Sequence, residues 1–151
     1  MGCFVCEKHR GGMPGGTVAA DELVVVSHVS PHAPGQDGAP VYLGHLVVEP
    51  RRHVPGLADL TDAEAVAVGL WAVRASRALR GVGAEHVYSA VIGHGIDHLH
   101  LHLWPRYPGT PPEYRWQRVD EWPEARRGGE TDIVRLVGEL RARLEAAGTG
   151  G

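Results

Sequence analysis

The chain is 151 residues long, with 43% hydrophobic and 22% charged residues, an ordinary globular composition and enough for one domain with its own core. A formal net charge of −3 at pH 7 gives no footing for duplex nucleic acid, and no apolar run approaches the roughly 18 residues of a membrane span. The N-terminus lacks the basic-then-apolar pattern of a signal peptide, and Cys6 stands where a myristoylation motif after Met1-Gly2 needs Ser or Thr, so a cytoplasmic protein is expected.

Cys3 and Cys6 come first, spaced C-x-x-C and the only cysteines in the chain. In a reducing compartment such a pair is half a metal site or a redox dithiol, and no strand precedes it to support a thioredoxin-like arrangement. Residues 21–29, centred on Val24, Val25 and Val26, read as a strand. A loop rich in Pro, Gly and Asp runs from Ser30 to Pro40. A second strand is expected from Val41 to Glu49, stopped by Pro50-Arg51-Arg52-His53.

Thr61 to Arg80 reads as a helix. Thr61 and Glu64 suit a capping box, Val66, Leu70, Val73 and Leu79 form an apolar stripe, and Gly81 suits the C-terminal cap. Val87–Ile92 and His98–Trp104 read as two more strands. Pro105 to Gly129 is long and irregular, with Tyr107, Tyr114, Trp116 and Trp122; such a segment serves a binding site, an interface or surface packing, and the residues leave these open. Asp132 to Ala146 reads as a second helix, capped by Thr131, with Ile133, Leu136, Val137, Leu140 and Leu144 inward. The expected organisation is a single domain over 1–147 with a flexible tail at 148–151.

The informative stretch is His98-Leu99-His100-Leu101-His102-Leu103. Strict alternation on a strand places the histidines on one face and the leucines on the other, the imidazoles about 6.5–7 Å apart. Three imidazoles could hold one metal, or one could attack an electrophile, since neutral histidine is a nucleophile near pH 7. Alternate residues on a strand diverge too far to converge easily on one ion, which favours divided roles.

With Gly44-His45-Leu46-Val47-Val48-Glu49-Pro50-Arg51-Arg52-His53 upstream and Trp104-Pro105-Arg106 downstream, this triad resembles the histidine-triad (HIT) superfamily, in particular its zinc-containing branch. The resemblance covers roughly Cys3 to Arg106. It implies an α+β fold with a mainly antiparallel sheet of about five strands and two helices, as a homodimer meeting through the helix from Thr61, whose face includes Trp71. It implies His100 as the nucleophile that forms a nucleotidyl-histidine intermediate, and His102 as a phosphate contact. Gly93-His94-Gly95 resembles the family's phosphate-contacting turn, and its backbone N–H groups suit that purpose. Zinc-containing members and the related uridylyltransferases bind a metal through C-x-x-C and two histidines, which maps onto Cys3, Cys6, His53 and His98 as a structural zinc site.

The sequence departs from the family at three places. His28 precedes Val29-Ser30-Pro31 where a ribose-holding Asp is usual, so His28 is the candidate for that contact. His94 and Gly95 replace the turn's usual Gln and Ser, and Ser89 is the nearest polar residue to a missing Asn. His45 is expected to support its strand, while His9, His32 and His86 receive no role. The implied activity is hydrolysis of a phosphoanhydride or phosphoramidate bond in a nucleotide conjugate. The alternatives are a nucleotidyl transferase or phosphorylase, and a nucleotide-binding regulator with weak activity. Retention of His102 favours hydrolysis, since the uridylyltransferases generally carry Gln there.

Overall fold

A computed structural model describes residues 2–11 and 16–148; Met1 and the last three residues of the expected tail lie outside the described residues. The element order is α1 (Phe4–Gly11), β1 (Thr17–Ala20), β2 (Val24–His28), β3 (Val41–Tyr42), β4 (Leu46–Pro50), α2 (Asp62–Gly81), β5 (His86–Ala90), β6 (Leu101–Arg106), β7 (Arg127–Gly128) and α3 (Glu130–Gly148). Five strands form one sheet in the order β1-β2-β4-β6-β5, antiparallel throughout. The expected α+β fold and five-stranded sheet are therefore present, with α1 as a helix the sequence reading did not include.

The sheet has two chemically different faces. Val24 and Val26 of β2, Leu46 and Val48 of β4 and Leu103 of β6 point into the core with Leu79 of α2 and Ile133, Val137 and Leu140 of α3. Pleating sends the intervening residues to the opposite face, where Val25 and Ser27 pair with Glu49 and Val47, and Val47 pairs with His102. That second face carries the site.

Several expectations change in the structure. Val66, Leu70 and Val73 are 70%, 44% and 47% exposed, and the buried side of α2 is Val68, Ala75, Ala78 and Leu79. The inward side thus mixes small Ala75 and Ala78 with Val68 and Leu79, and of the expected stripe only Leu79 faces the core. The Thr61–Glu64 capping box is formed in both directions, worth about 1 kcal/mol. At the other end Gly83, with φ +116, takes the left-handed position assigned to Gly81, which remains helical. The helix cap expected at Thr131 is displaced as well: α3 begins at Glu130, and Asp132 accepts from the Gly129 N–H.

The single strand expected from Val41 to Glu49 is broken in two. Gly44 has φ +97, and a Cβ there would lie 2.5 Å from the Tyr107 hydroxyl and 2.6 Å from Pro105. Only glycine turns the chain here. As a result β3 leaves the main sheet to pair with β7, and the segment expected to be irregular supplies both β7 and a short 3-10 helix at Trp116–Glu121. Tyr107 anchors it by donating to the Leu43 carbonyl. Trp71 donates its indole N–H to Asp21 at 2.7 Å, pinning α2 to the turn before β2.

Candidate active site and metal centre

The expected alternating strand begins later than the sequence suggested. Only His102 of the three histidines lies within β6; His98 and His100 precede it. Freed from the pleat, the rings do not form one exposed row: His98 is 0% exposed while His100 and His102 are half-buried. They divide between two clusters.

The first cluster forms under α1. Cys3 lies just before the helix and Cys6 in its first turn, so residues three apart put both sulfurs on one side. Their Sγ atoms lie 3.6 and 3.4 Å from His98 Nδ1, and Cys6 Sγ lies 3.6 Å from His53 Nδ1. All four ligand atoms fall within 4.8 Å of one another. Tetrahedral zinc with bonds of about 2.3 Å to sulfur and 2.0–2.1 Å to nitrogen separates an S and an N ligand by about 3.6 Å, so these contacts have the lengths of coordination edges. His98 Nε2–H donates to the Pro50 carbonyl at 2.7 Å, which leaves the Nδ1 lone pair directed at the sulfurs and fixes the ring. The donor set is a closed Cys2His2, and it fits zinc.

The second cluster lines a cavity of about 320 Å3, within the size of small-molecule sites. His45, His100 and His102 face it, with Phe4, Val5 and Lys8 from α1, Val47 and Glu49 from β4, Ile96 from the preceding loop, and Asp120 and Arg127 from the segment after β6. His100 Nδ1–H donates to the His98 carbonyl at 2.8 Å. That bond holds the proton on Nδ1, so Nε2 carries the lone pair. His102 Nδ1 and His45 Nε2 are 2.8 Å apart. Burial first, and then the neighbouring His100, push His102 down to about 4; burial and then His102 hold His45 well below its ordinary value. Both rings are neutral at pH 7, so they share one proton through an N–H···N bond. Trp104 stacks on both, at 4.7 Å from His102 and 4.9 Å from His45.

Other expected site residues are placed differently. His28 is fully buried: Nδ1–H donates to the Val29 carbonyl, and Nε2 accepts from the Gly44 N–H at 2.9 Å. Both nitrogens are engaged in holding the Gly44 turn, so the ring does not offer a ribose contact; burial pushes it down to about 4. In the turn before the triad, Gly93 and His94 have φ +83 and +69, Gly95 N–H donates to the Gly93 carbonyl, and the His94 and Gly95 positions are exposed. His45, Glu49 and α1 were not recognised as cavity residues. Their signal was present: His45, Val47 and Glu49 alternate with Leu46 and Val48, and Phe4 and Lys8 are four residues apart on one helical side. His9 also has a partner, Glu49 at 3.1 Å, and His32 meets Glu130 at 2.7 Å.

Comparison with known proteins places this geometry. The family model described as "HIT domain" matches residues 17–109. An AP-4-A phosphorylase of Mycobacterium tuberculosis is 34% identical over 73 residues, covering 44% of this chain and 37% of that protein; the chain thus spans little more than a third of that relative. Adenosine 5'-monophosphoramidase hnt1 of Schizosaccharomyces pombe is 26% identical over 134 residues, covering 76% of this chain and 92% of that protein. The crystal structure of a Zn-bound histidine triad family protein from Mycobacterium smegmatis superposes with a TM-score of 0.71 at 20% identity, covering 100% of this chain and 99% of that one.

Proposed function

Because the chain belongs to the HIT domain family, we propose that it hydrolyses a phosphoanhydride or phosphoramidate bond of a nucleotide conjugate through a nucleotidyl-His100 intermediate. The observation that carries this is the His100 Nδ1–H bond to the His98 carbonyl, which leaves a nucleophilic Nε2 on a ring lining the cavity. In the first step Nε2 forms a bond to the α-phosphorus while the bond to the leaving oxygen or nitrogen breaks, and the leaving group takes the electron pair and a proton from solvent. In the second, water bonds to phosphorus, the P–N bond breaks, the water gives up a proton, and a 5′-monophosphate leaves with His100 restored.

His45 orders this chemistry. When His45 Nε2–H donates to His102 Nδ1, His102 presents Nε2–H as a donor for a phosphoryl oxygen as its charge grows. A neutral ring suits this role, since it donates the hydrogen bond without giving up its proton. In the turn before the triad, the Gly95 N–H is engaged by the Gly93 carbonyl, so the N–H groups of Gly93 and His94 are the candidates for other phosphate oxygens. Zinc held by Cys3, Cys6, His53 and His98 would be structural: it would fasten α1 over the cavity and fix His98, whose carbonyl orients His100. Reduced zinc thiolates suit a cytoplasmic setting.

Incubation with adenosine 5′-phosphoramidate and with Ap4A in 18O-labelled water is the test. We expect one label in the released AMP and a trapped adduct on His100; an adduct on another side chain would overturn the mechanism. The match to an AP-4-A phosphorylase favours one second reading, in which phosphate replaces water, and phosphate-dependent formation of ADP from Ap4A would select it. A nucleotide-binding regulator would bind AMP equally with and without His100.

We also assign the outward side of α2 to a second copy of the chain, since Val66, Leu70 and Val73 are exposed on it and apolar patches of this kind mark interfaces. Sedimentation of the wild type as a dimer and of Leu70→Glu as a monomer is the expected result.

A further inference from the structure

The cavity has a second end that the chemistry at His100 does not use. Along the cavity side of β4 the order is His45, Val47, Glu49, a distance of about 13 Å from first to last at strand spacing. The His45 end meets His102. The Glu49 end is covered by α1, where Phe4 and Lys8 line the same cavity one helical turn apart. Lys8 Nζ is 2.7 Å from Glu49 Oε1, with side chains 8% and 2% exposed. Burial by itself pushes the Glu49 carboxyl up, but the His9 hydrogen bond and the Lys8 ammonium together hold it below its ordinary value. The group is a carboxylate.

A charged pair is an expensive way to clamp a helix to a sheet, because desolvation costs several kcal/mol per ion and an apolar pair of similar volume would serve. Glu49 is the one charged residue in the otherwise apolar β4. Nearby polar groups add to the oddity. Ser27, which pairs with Val47 on the same side of the sheet, has a buried Oγ without a hydrogen-bond partner, as does His9 at Nδ1. Ser27 and His9 stand behind the lining, and the groups that reach this end of the cavity are Lys8 and Glu49, beside the ring of Phe4.

Resting on the nucleotide reading of the same site, we propose that Lys8 and Glu49 are specificity-determining residues that read the nucleobase and select guanine over adenine. A carboxylate repels phosphate, so the group it receives must present N–H donors. Glu49 Oε1 already accepts from Lys8 and His9, which leaves Oε2 for the base: the guanine edge offers it two adjacent donors, N1–H and the 2-amino group, and O6 next to them accepts from the Lys8 ammonium. Adenine offers one donor group and an acceptor, one hydrogen bond fewer than guanine. Uracil turns two carbonyls toward the carboxylate. The Phe4 ring, Val5 and Val47 supply the apolar walls for a planar base.

Calorimetric titration of the wild-type chain with GMP, IMP and AMP tests this without any substitution. GMP should bind at least about 10-fold tighter than AMP, and about 3- to 30-fold tighter than IMP, which lacks only the 2-amino group. Glu49→Gln, checked for an unchanged circular dichroism spectrum, should bring GMP and AMP within about 3-fold. Equal or tighter AMP binding, no binding of any of the three, or a folded Glu49→Gln that keeps the preference would overturn the proposal. Turnover separates it from the hydrolase reading. Guanine-selective binding without cleavage of guanosine 5′-phosphoramidate supports the base-reading pair and removes the hydrolase. Cleavage of guanosine and adenosine phosphoramidates at equal kcat/KM removes the pair and leaves the hydrolase standing.

Discussion

His98 and His100 are two residues apart, carry the same side chain and precede the same strand, yet the structure puts them to opposite uses. His98 is sealed under α1 with its Nε2–H spent on the Pro50 carbonyl and Nδ1 turned to two sulfurs. His100 spends Nδ1–H on the carbonyl of His98 itself and belongs to a cavity wall. What separates the two clusters is which ring nitrogen holds the proton, and that is decided by the carbonyl each ring meets. The peptide between them also couples the clusters: whatever fixes His98 fixes the acceptor that orients His100.

The sharpest way to separate the clusters is to remove one ring at a time. His100→Ala should lower kcat/KM for a nucleoside phosphoramidate by at least about 10^4-fold while metal analysis still finds one zinc per chain; substantial residual turnover would break the assignment of His100. Cys6→Ser should do the reverse in kind. Zinc should fall toward zero and Tm by about 10 °C or more, with α1 loosened from the cavity. A fully metallated, equally stable Cys6→Ser would show that the sulfur contacts are packing alone.

A smaller effect tests the His45–His102 pair. His102→Ala should cost about 10^2- to 10^3-fold in kcat with little change in KM and no loss of zinc. A loss confined to KM would instead make His102 a uniform binding contact.

The smallest expected effect is on stability and concerns His28, which holds the Gly44 turn. Its pKa is about 4 in the folded protein against an ordinary 6.5, so the unfolded chain binds more protons between those values. Its stabilising contribution is complete above about pH 6.5 and is lost as the pH falls toward 4, by about 3 kcal/mol. Chemical denaturation at stepped pH should show that decline, and His28→Gln should flatten it. An unchanged slope would mean that other groups dominate acid unfolding.

Much of this was legible in residue order, and the failures are informative. The C-x-x-C pair could be joined to His53 and His98 because family resemblance named the partners; spacing alone left a redox dithiol open. The α2 stripe was misread because Val66, Leu70 and Val73 are larger than Ala75 and Ala78, and hydrophobicity by itself does not say which side of the helix faces the core. His28 was read as a substrate contact because it stands where the family usually has a ribose-holding Asp, whereas its burial and the Gly44 N–H it accepts give it a structural task. The break at Gly44 was hidden since it depends on Tyr107 and Pro105, more than sixty residues away.

Local order by itself determined the strand periods, the capping box at Thr61, the inward side of α3 and the existence of a histidine triad, because these follow from interactions between residues a few positions apart. Only the tertiary structure decided which triad member meets the cysteines, which ring keeps a free lone pair, and that Lys8 and Glu49 share the cavity. Those outcomes rest on burial and on hydrogen-bond partners brought together from distant parts of the chain, and a proton settles on one nitrogen or the other only when such a partner is in place.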